Sequence, residues 1–303
     1  MATGRSGLVA VSLGALLWGT TGVAVSIVHE RTGLTAVPIG CIRLAVAAVA
    51  VLAVLRVAGI RRAALVVRRD PWVTLGAGIG LGSYQALYFV GVQDVGVSIS
   101  TLVSLGVAPV ALTVVAAARN RRVPGVVQTV TVLAAVGGLV LISVKPGTES
   151  GAHPVIGLIA SFGAGFGYAA TTLLNRRMAR DGEPLLLTGL TSAIGAVVLV
   201  PLAAVDGLWW PSDAVASGWL IYIGVVTTVV AYALFFTGLK TVASETAGVL
   251  TLIEPLAAAI LAAIVVHESL SGLGVVGAAL MLAAIAGLYL RTPEADVHEI
   301  DVD

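Results

Sequence analysis

Along the 303 residues of the chain, apolar side chains neither alternate nor recur on one stripe. They continue for about twenty positions at a time and are then interrupted by short polar gaps. Such runs fall at 8–28, 36–55, 72–92, 97–118 and 125–144 and, beyond a polar, Gly-containing gap at 145–153, at 154–174, 185–205, 218–239, 242–266 and 270–290. A helix rises 1.5 Å per residue, so about 20 apolar residues cross the roughly 30 Å hydrocarbon core of a bilayer. A helix apolar on every face is stable only where its surroundings are apolar too. The pattern predicts an all-α membrane protein of ten transmembrane helices, with little chain left over for a soluble domain.

The polar gaps give the orientation, because cytoplasmic loops retain Lys and Arg. With the N-terminus inside, the inner segments hold Arg5; Arg56, Arg61, Arg62, Arg68 and Arg69; Arg119, Arg121 and Arg122; Arg176, Arg177 and Arg180; Lys240; and Arg291. The outer segments hold only Arg31 and Lys145. Miscounting by one span would scramble this alternation, so both termini are expected in the cytoplasm of a cell (inner or plasma) membrane. Trp209 and Trp210 then fall in an outer loop suited to the headgroup region. The start of the chain lacks a small-residue cleavage site before His29 and reads as a retained first helix.

The two halves resemble each other. Residues 132–141 (VLAAVGGLVL) match 281–290 (MLAAIAGLYL), and Tyr88-Phe-Val-Gly91 matches Phe235-Phe-Thr-Gly238. Each of the latter is followed, after a polar break, by a helix with a central proline, Pro109 or Pro255. The organisation expected is a first five-helix repeat at 1–146, a second at 147–291 and an acidic cytoplasmic tail at 292–303. Five spans is an odd number, so the second repeat enters the membrane from the opposite side. Inverted duplication of this kind is an architecture of secondary transporters.

Composition removes several other functions. Hydrophobic residues make up 58% of the chain and charged ones 11%, a balance that a water-exposed surface does not tolerate. The arginines alternate loop by loop instead of lining one face, which sets nucleic acid aside as a partner. Cys41 is the single cysteine, too few for a disulfide or a redox pair within the chain. His29-Glu30 and His267-Glu268 lack a second histidine one turn on, so no metal is expected. The glycines at 76, 78, 80 and 82 and at 163, 165 and 167 suit close helix approach. They lack the strand context and Lys-Ser/Thr ending of a phosphate loop. No cofactor is expected; the partners are membrane lipid and a small-molecule substrate, with protons as a candidate coupling ion. The glycine-rich faces permit a dimer without requiring one.

Short motifs carry a family resemblance. Leu16-Leu-Trp-Gly19 in the first span, Ile42-Arg43-Leu44 in the second and Thr251-Leu-Ile-Glu-Pro255 in the ninth resemble the drug/metabolite transporter superfamily, in its EamA-type branch of ten-helix exporters. His267-Glu268-Ser-Leu is similar to that family's Gly-Glu-Arg-Leu. His267 stands in place of the glycine, and Arg121-Arg122 in place of the equivalent acidic turn of the first half. The resemblance implies transport, and an exporter in particular.

Polar groups in hydrocarbon are costly and mark candidate function. Two charges lie well inside the spans, Arg43 and Glu254. Glu254 precedes Pro255, whose missing amide leaves a backbone carbonyl unpaired. Two roles are open to Glu254: to cycle a proton or neutralise a cationic substrate, or to bond a neighbouring helix at the proline break. Arg43 is open to an anion-binding role toward a substrate carboxylate, to anchoring its helix at the interface, or to pairing with a carboxylate. Polar and aromatic residues also recur in register between the halves. Trp18 and Thr21 correspond to Tyr168 and Thr171, and Gln85 and Tyr88 to Tyr232 and Phe235; a spacing of three places each pair on one helical face. With Asn175 they compose a candidate aromatic cavity with a few hydrogen-bonding groups; helix packing is the alternative for any one of them. The expected function is secondary active export of small metabolites, amino acids or related compounds, by alternating access. The alternative, an intramembrane enzyme acting on a lipid-linked substrate, needs clustered carboxylates, a histidine-metal set or an activated nucleophile, and a lone Glu254 is too little.

Overall fold

The computed structural model describes residues 5–58, 70–143, 153–180, 183–265 and 271–291. All its regular structure is helical. The elements are α1 (Arg5–Gly19), α2 (Thr21–Thr32), α3 (Ala36–Ala58), α4 (Pro71–Asn120), α5 (Val126–Ser143), α6 (Pro154–Ala179), α7 (Pro184–Val205), α8 (Ala214–Gly224), a π-helical turn at Val225–Val230, α9 (Ala231–Leu239), α10 (Ser244–Leu250), α11 (Ile253–Val265) and α12 (Gly272–Arg291). Arg61, Arg62, Arg68, Arg69, Lys145, the His267-Glu268 turn, the boundary between the halves at 146–147 and the acidic tail lie outside the described residues.

Among the described residues, nine helical runs are long and apolar enough to cross a bilayer. One of them, α4, has 50 residues, about 75 Å if straight, more than twice the hydrocarbon thickness. It does not stay straight. Gly96 has φ 80° and ψ 162°, outside the helical region, a conformation that L side chains rarely adopt and glycine takes freely. The Tyr88 hydroxyl meets Thr101 Oγ1 at 2.8 Å and Ser100 Oγ donates to the Tyr88 carbonyl at 3.2 Å. In a straight helix those residues would stand about 18–20 Å apart, so the chain reverses at Gly96 and α4 is a hairpin of two arms. The sequence pattern divides the same stretch at its polar break.

Three spans are interrupted, the first and the eighth against expectation and the ninth at Pro255, one of the two prolines expected to break a helix, while at Pro109, the other, the helix continues unbroken. The first divides at Thr20, whose hydroxyl donates to the Leu17 carbonyl at 2.7 Å and meets the Tyr222 hydroxyl at 2.9 Å. The eighth widens into the π-helical turn, where Thr228 Oγ1 reaches back five residues to the Ile223 carbonyl at 2.8 Å. The ninth divides between α10 and α11, just ahead of Pro255, and Glu254 N bonds Thr251 O at 3.0 Å in a tightened turn. Threonine hydroxyls and the missing proline amide compete with the helical ladder, which is the physical reason for each break.

The most extensive helix pairings, α4 with α6, α5 with α12, α3 with α7, α4 with α7 and α1 with α9, all join the first half of the chain to the second. Glycines set these distances. A Cβ on Gly138 would fall 2.6 Å from the Gly277 carbonyl, and one on Gly14 would fall 2.8 Å from the Ala231 carbonyl. Gly80 lies against Thr171, and Gly78 and Gly82 lie against Ile194 and Val198. Backbones in near contact gain dispersion along the whole seam, which substitutes for the hydrophobic driving force that lipid does not provide. Outward-facing positions are apolar, as at Val49, Leu133, Phe166 and Val197, while Gln85, Ser100, Ser104, Ser161, Thr171 and Asn175 are buried.

Ion pairs close both ends of the bundle. Arg31 forks onto Asp213 at 3.0 and 2.9 Å, and Arg177 reaches Asp70 at 3.0 Å. The Arg31 guanidinium, and then the Ala216 amide that Asp213 caps, hold the Asp213 carboxyl down to about 2.

The glycine seam is testable at adjacent positions. Gly138→Ala should destabilise by about 1–3 kcal/mol, because the backbone of α12 has to withdraw. Gly137→Ala, whose Cβ meets nothing within 4 Å, should be neutral or stabilise by about 0.5–1 kcal/mol through helix propensity. Thermal unfolding of the two variants in detergent checks the difference; equal loss of stability in both would contradict the seam.

Candidate functional site

The candidate site is built where α1, α3, α4, α6, α9 and α11 face one another in the interior. From α3, Arg43 Nη2 donates to Gln85 Oε1 on α4 at 2.6 Å, and Gln85 Nε2 in turn donates to the Leu81 carbonyl at 3.3 Å. Gln85 is 4% exposed, so the guanidinium is drawn inward and not out to the interface. Its partner is therefore a neutral amide and not the carboxylate considered from sequence. A neutral acceptor leaves the positive charge uncompensated in low dielectric, where charge is felt at longer range than in water.

The opposite charge is Glu254, on the first turn of α11 directly after the break. Its carboxylate is within electrostatic reach of Arg43 and of the Tyr88, Tyr168 and Tyr232 hydroxyls. Among the described residues no hydrogen bond or ion pair engages it. Arg43 acts likewise on Tyr84 and Tyr232. The two charges thus share one aromatic enclosure without touching.

That enclosure is assembled from both halves. Trp18 packs against Tyr232 at 4.9 Å and Phe235 at 5.3 Å between ring centroids; Tyr84 packs edge-on against Tyr168 at 5.3 Å. The Tyr84 and Tyr232 hydroxyls meet at 3.0 Å. Tyr168, Thr171 and Asn175 recur at i, i+3 and i+7 on one face of α6. Phe235 is fully buried and contributes only packing, and Tyr88 turns to Thr101 within the α4 hairpin. Pro109 lies apart from the site, against Gly248 of α10, whereas Pro255 adjoins it through Glu254.

Among the described residues eight buried polar atoms have no hydrogen-bond partner: Trp18 Nε1, Arg43 Nε and Tyr168 OH in the enclosure, Thr171 Oγ1 and Asn175 Oδ1 on the Tyr168 face of α6, Thr21 Oγ1 at the start of α2, and Thr113 Oγ1 and Ser244 Oγ elsewhere. A buried polar group left unpaired costs about 1–3 kcal/mol. Trp18 Nε1, Arg43 Nε and Tyr168 OH, unpartnered beside two opposite charges that do not touch, are donors free to receive a polar solute. Among the described residues no group of three or more His, Cys, Asp or Glu side chains is placed to hold a metal.

Tyr84 was not singled out by the spacing of three, although it bridges the two halves. It lies four residues before Tyr88, the other spacing that places residues on one helical face. Thr101 and the Thr20–Tyr222 contact gave no comparable signal, since they depend on the reversal at Gly96 and the break at Thr20.

The model of the EamA-like transporter family matches residues 5–144 and 155–290, one copy in each half. Among similar proteins, the transporter YwfM of Bacillus subtilis (strain 168) is 30% identical over 277 residues, covering 91% of this chain and 90% of that protein. The threonine/homoserine exporter RhtA of Salmonella typhimurium (strain LT2) is 26% identical over 229 residues, covering 74% of each chain. A solved crystal structure shares the fold with a TM-score of 0.78 at 18% identity, over 95% of this chain and 98% of the other.

The hydroxyl bridge between the halves gives a clean test. Tyr84→Phe and Tyr232→Phe should each lower stability by about 1 kcal/mol, and the double variant by no more than either alone, because both remove one bond. Denaturant unfolding of the purified protein measures the coupling; strictly additive losses would show that the bond contributes nothing.

Proposed function

The chain belongs to the EamA-like transporter family, and from that membership and the central site we propose that it is a secondary active exporter of small metabolites, amino acids or related compounds, working by alternating access. It is a multi-pass membrane transporter and not an enzyme. The finer reading takes ten crossings, counting both arms of the α4 hairpin, in the cell membrane, with both termini cytoplasmic as the loop arginines favour.

One observation carries the substrate reading: Arg43 and Glu254 are opposite charges within electrostatic reach of each other in the same interior enclosure, and among the described residues neither is held in an ion pair. A zwitterion is complementary to that arrangement. Its carboxylate suits the unpartnered Nε of Arg43, its ammonium suits the Glu254 carboxylate, and its remaining polar groups suit Trp18, Thr21, Tyr168, Thr171 and Asn175. Rim aromatics supply an apolar wall at low cost in side-chain entropy. The name of the exporter RhtA makes threonine the first probe to try. Glu254 also suits proton coupling, since a carboxylate that alternates between an ammonium partner and a proton never has to remain charged and alone in hydrocarbon.

Threonine flux in proteoliposomes tests both parts. The unaltered protein should move threonine down an imposed pH gradient faster than threonine equilibrates without one. Glu254→Gln, nearly isosteric, should abolish the gradient-driven component while leaving the elution profile of the folded protein unchanged. Gradient-driven flux that survives the substitution removes proton coupling through Glu254, and absence of flux for every amino acid offered removes the substrate reading.

A further inference from the structure

The two end-closing ion pairs occupy equivalent places in the duplicated architecture. Arg31 is near the C-terminal end of the first span and Arg177 near that of the sixth, which begins the second half. Asp70 is the N-cap residue of α4, the start of the third span, and Asp213 is the N-cap residue of α8, the start of the eighth. Each residue lies about half the chain from its counterpart. Both pairs join one half of the sequence to the other, at opposite ends of the bundle, and both are formed in the same structure.

Each pair also terminates a seam that glycine has already closed. Along the first and eighth spans, a Cβ on Gly14 would meet the Ala231 carbonyl at 2.8 Å and one on Gly238 would meet the Gly7 carbonyl at 2.7 Å, with Arg31–Asp213 at the far end. Along the third and sixth spans, Gly80 lies against Thr171, Gly167 against Tyr84 and Gly91 against Ser161, with Arg177–Asp70 at the far end. Thr35 Oγ1 donating to Asp206 at 3.0 Å adds a further link between halves beside the first pair. A gate has to part in one of the two states of a transporter, whereas a glycine-closed seam cannot part without exposing backbone that was matched to backbone. Exposed ion pairs add little to stability; what they supply is register, fixed by two parallel bonds at Arg31–Asp213 and by one at Arg177–Asp70.

We propose that Arg31–Asp213 and Arg177–Asp70 are a symmetry-related pair of struts that stay closed throughout transport, locking the first span to the eighth and the third to the sixth. The moving bodies are then helix pairs that each draw on both halves of the sequence, and neither sequence half rocks as a unit. This rests on the alternating-access reading above.

The test uses the full-length protein carrying Cys41→Ala, which removes the native thiol. Arg31→Cys with Asp213→Cys, and separately Arg177→Cys with Asp70→Cys, are bridged with a short reducible bis-thiol linker and assayed for threonine flux in liposomes. Bridged protein should keep flux within about twofold of the same protein after reduction, as expected when no motion crosses the bridge. A loss of about tenfold or more that reduction restores would make that pair a gate and overturn the proposal. Spin labels at the same positions provide a readout that needs no flux. The distance across each pair should remain single, while a shift of about 5 Å, a one-turn displacement, on adding threonine or changing pH overturns the proposal. If the unbridged Cys41→Ala parent shows no flux, the transport reading fails for threonine, and the label distances, taken across pH, still decide the struts.

Discussion

Hydrocarbon supplies no hydrogen bonds, and most of what distinguishes this molecule follows from that constraint. Every backbone amide and carbonyl within the bilayer has to be matched inside the protein, so the chain can only be helical there. The side chains obey the same constraint with the usual order reversed. Val49, Leu133 and Val197 face outward where a soluble protein would place charge, and Ser100, Ser104, Ser161 and Gln85 are buried where it would place leucine. Most of these interior groups are satisfied by a neighbour: Ser161 Oγ bonds Ser100 Oγ at 3.1 Å and the Gly157 carbonyl at 2.8 Å, and Ser104 Oγ donates to the Ser161 carbonyl at 3.0 Å. Against such thorough pairing the unpartnered Trp18 Nε1, Arg43 Nε and Tyr168 OH of the enclosure stand out.

The same absence of a hydrophobic force between helices explains why the seams are built on glycine. Lipid tails are as apolar as leucine, so association depends on contact, and contact is closest where one backbone meets another. The consequence is topological. The tightest seams run between the halves of the sequence, and the duplicated units are interleaved instead of standing side by side. Trp18 can therefore stack on Tyr232, and Tyr84 on Tyr168, with each partner drawn from the other repeat. The site exists because the halves are threaded through each other.

The spans were legible because hydropathy is a property of local sequence, and the arginine-bearing gaps of the described residues fall at helix ends as the pattern implied. The aromatic register located Trp18, Tyr168 and Tyr232, which pack into one enclosure, but not their roles, since Phe235 only packs and Tyr88 turns to Thr101. The helix breaks away from proline were not legible. Thr20 and the turn at Val225–Val230 look neutral or apolar in sequence, and each depends on a single threonine choosing a carbonyl of its own helix, whereas the step at Thr251 is announced by Pro255. Nor was the partner of Arg43. Helical spacing relates residues within one element, and the Arg43–Gln85 bond joins two elements whose relative rotation is fixed only by packing. Tyr84 stands four residues before Tyr88, a spacing as helical as the spacing of three that marks the paired stripes.

Duplication also explains how a symmetric scaffold carries asymmetric chemistry. Pro109 and Pro255 occupy equivalent helices, yet Ala108 precedes the first and Glu254 the second. At the first, the chain remains one continuous helix through the proline and packs against Gly248; at the second, the helix divides and presents a carboxylate to the enclosure. Under the alternating access proposed above, the shared backbone would allow two conformations of comparable energy, since each half could adopt the arrangement of the other. A ligand or proton would then shift the balance only through groups that the repeats do not share, because equal affinity for both states shifts nothing. On that proposal those groups would be Arg43 with Gln85 on one side of the enclosure and Glu254 on the other, so that symmetry would provide the two states and its local failure would give a bound solute something to act on.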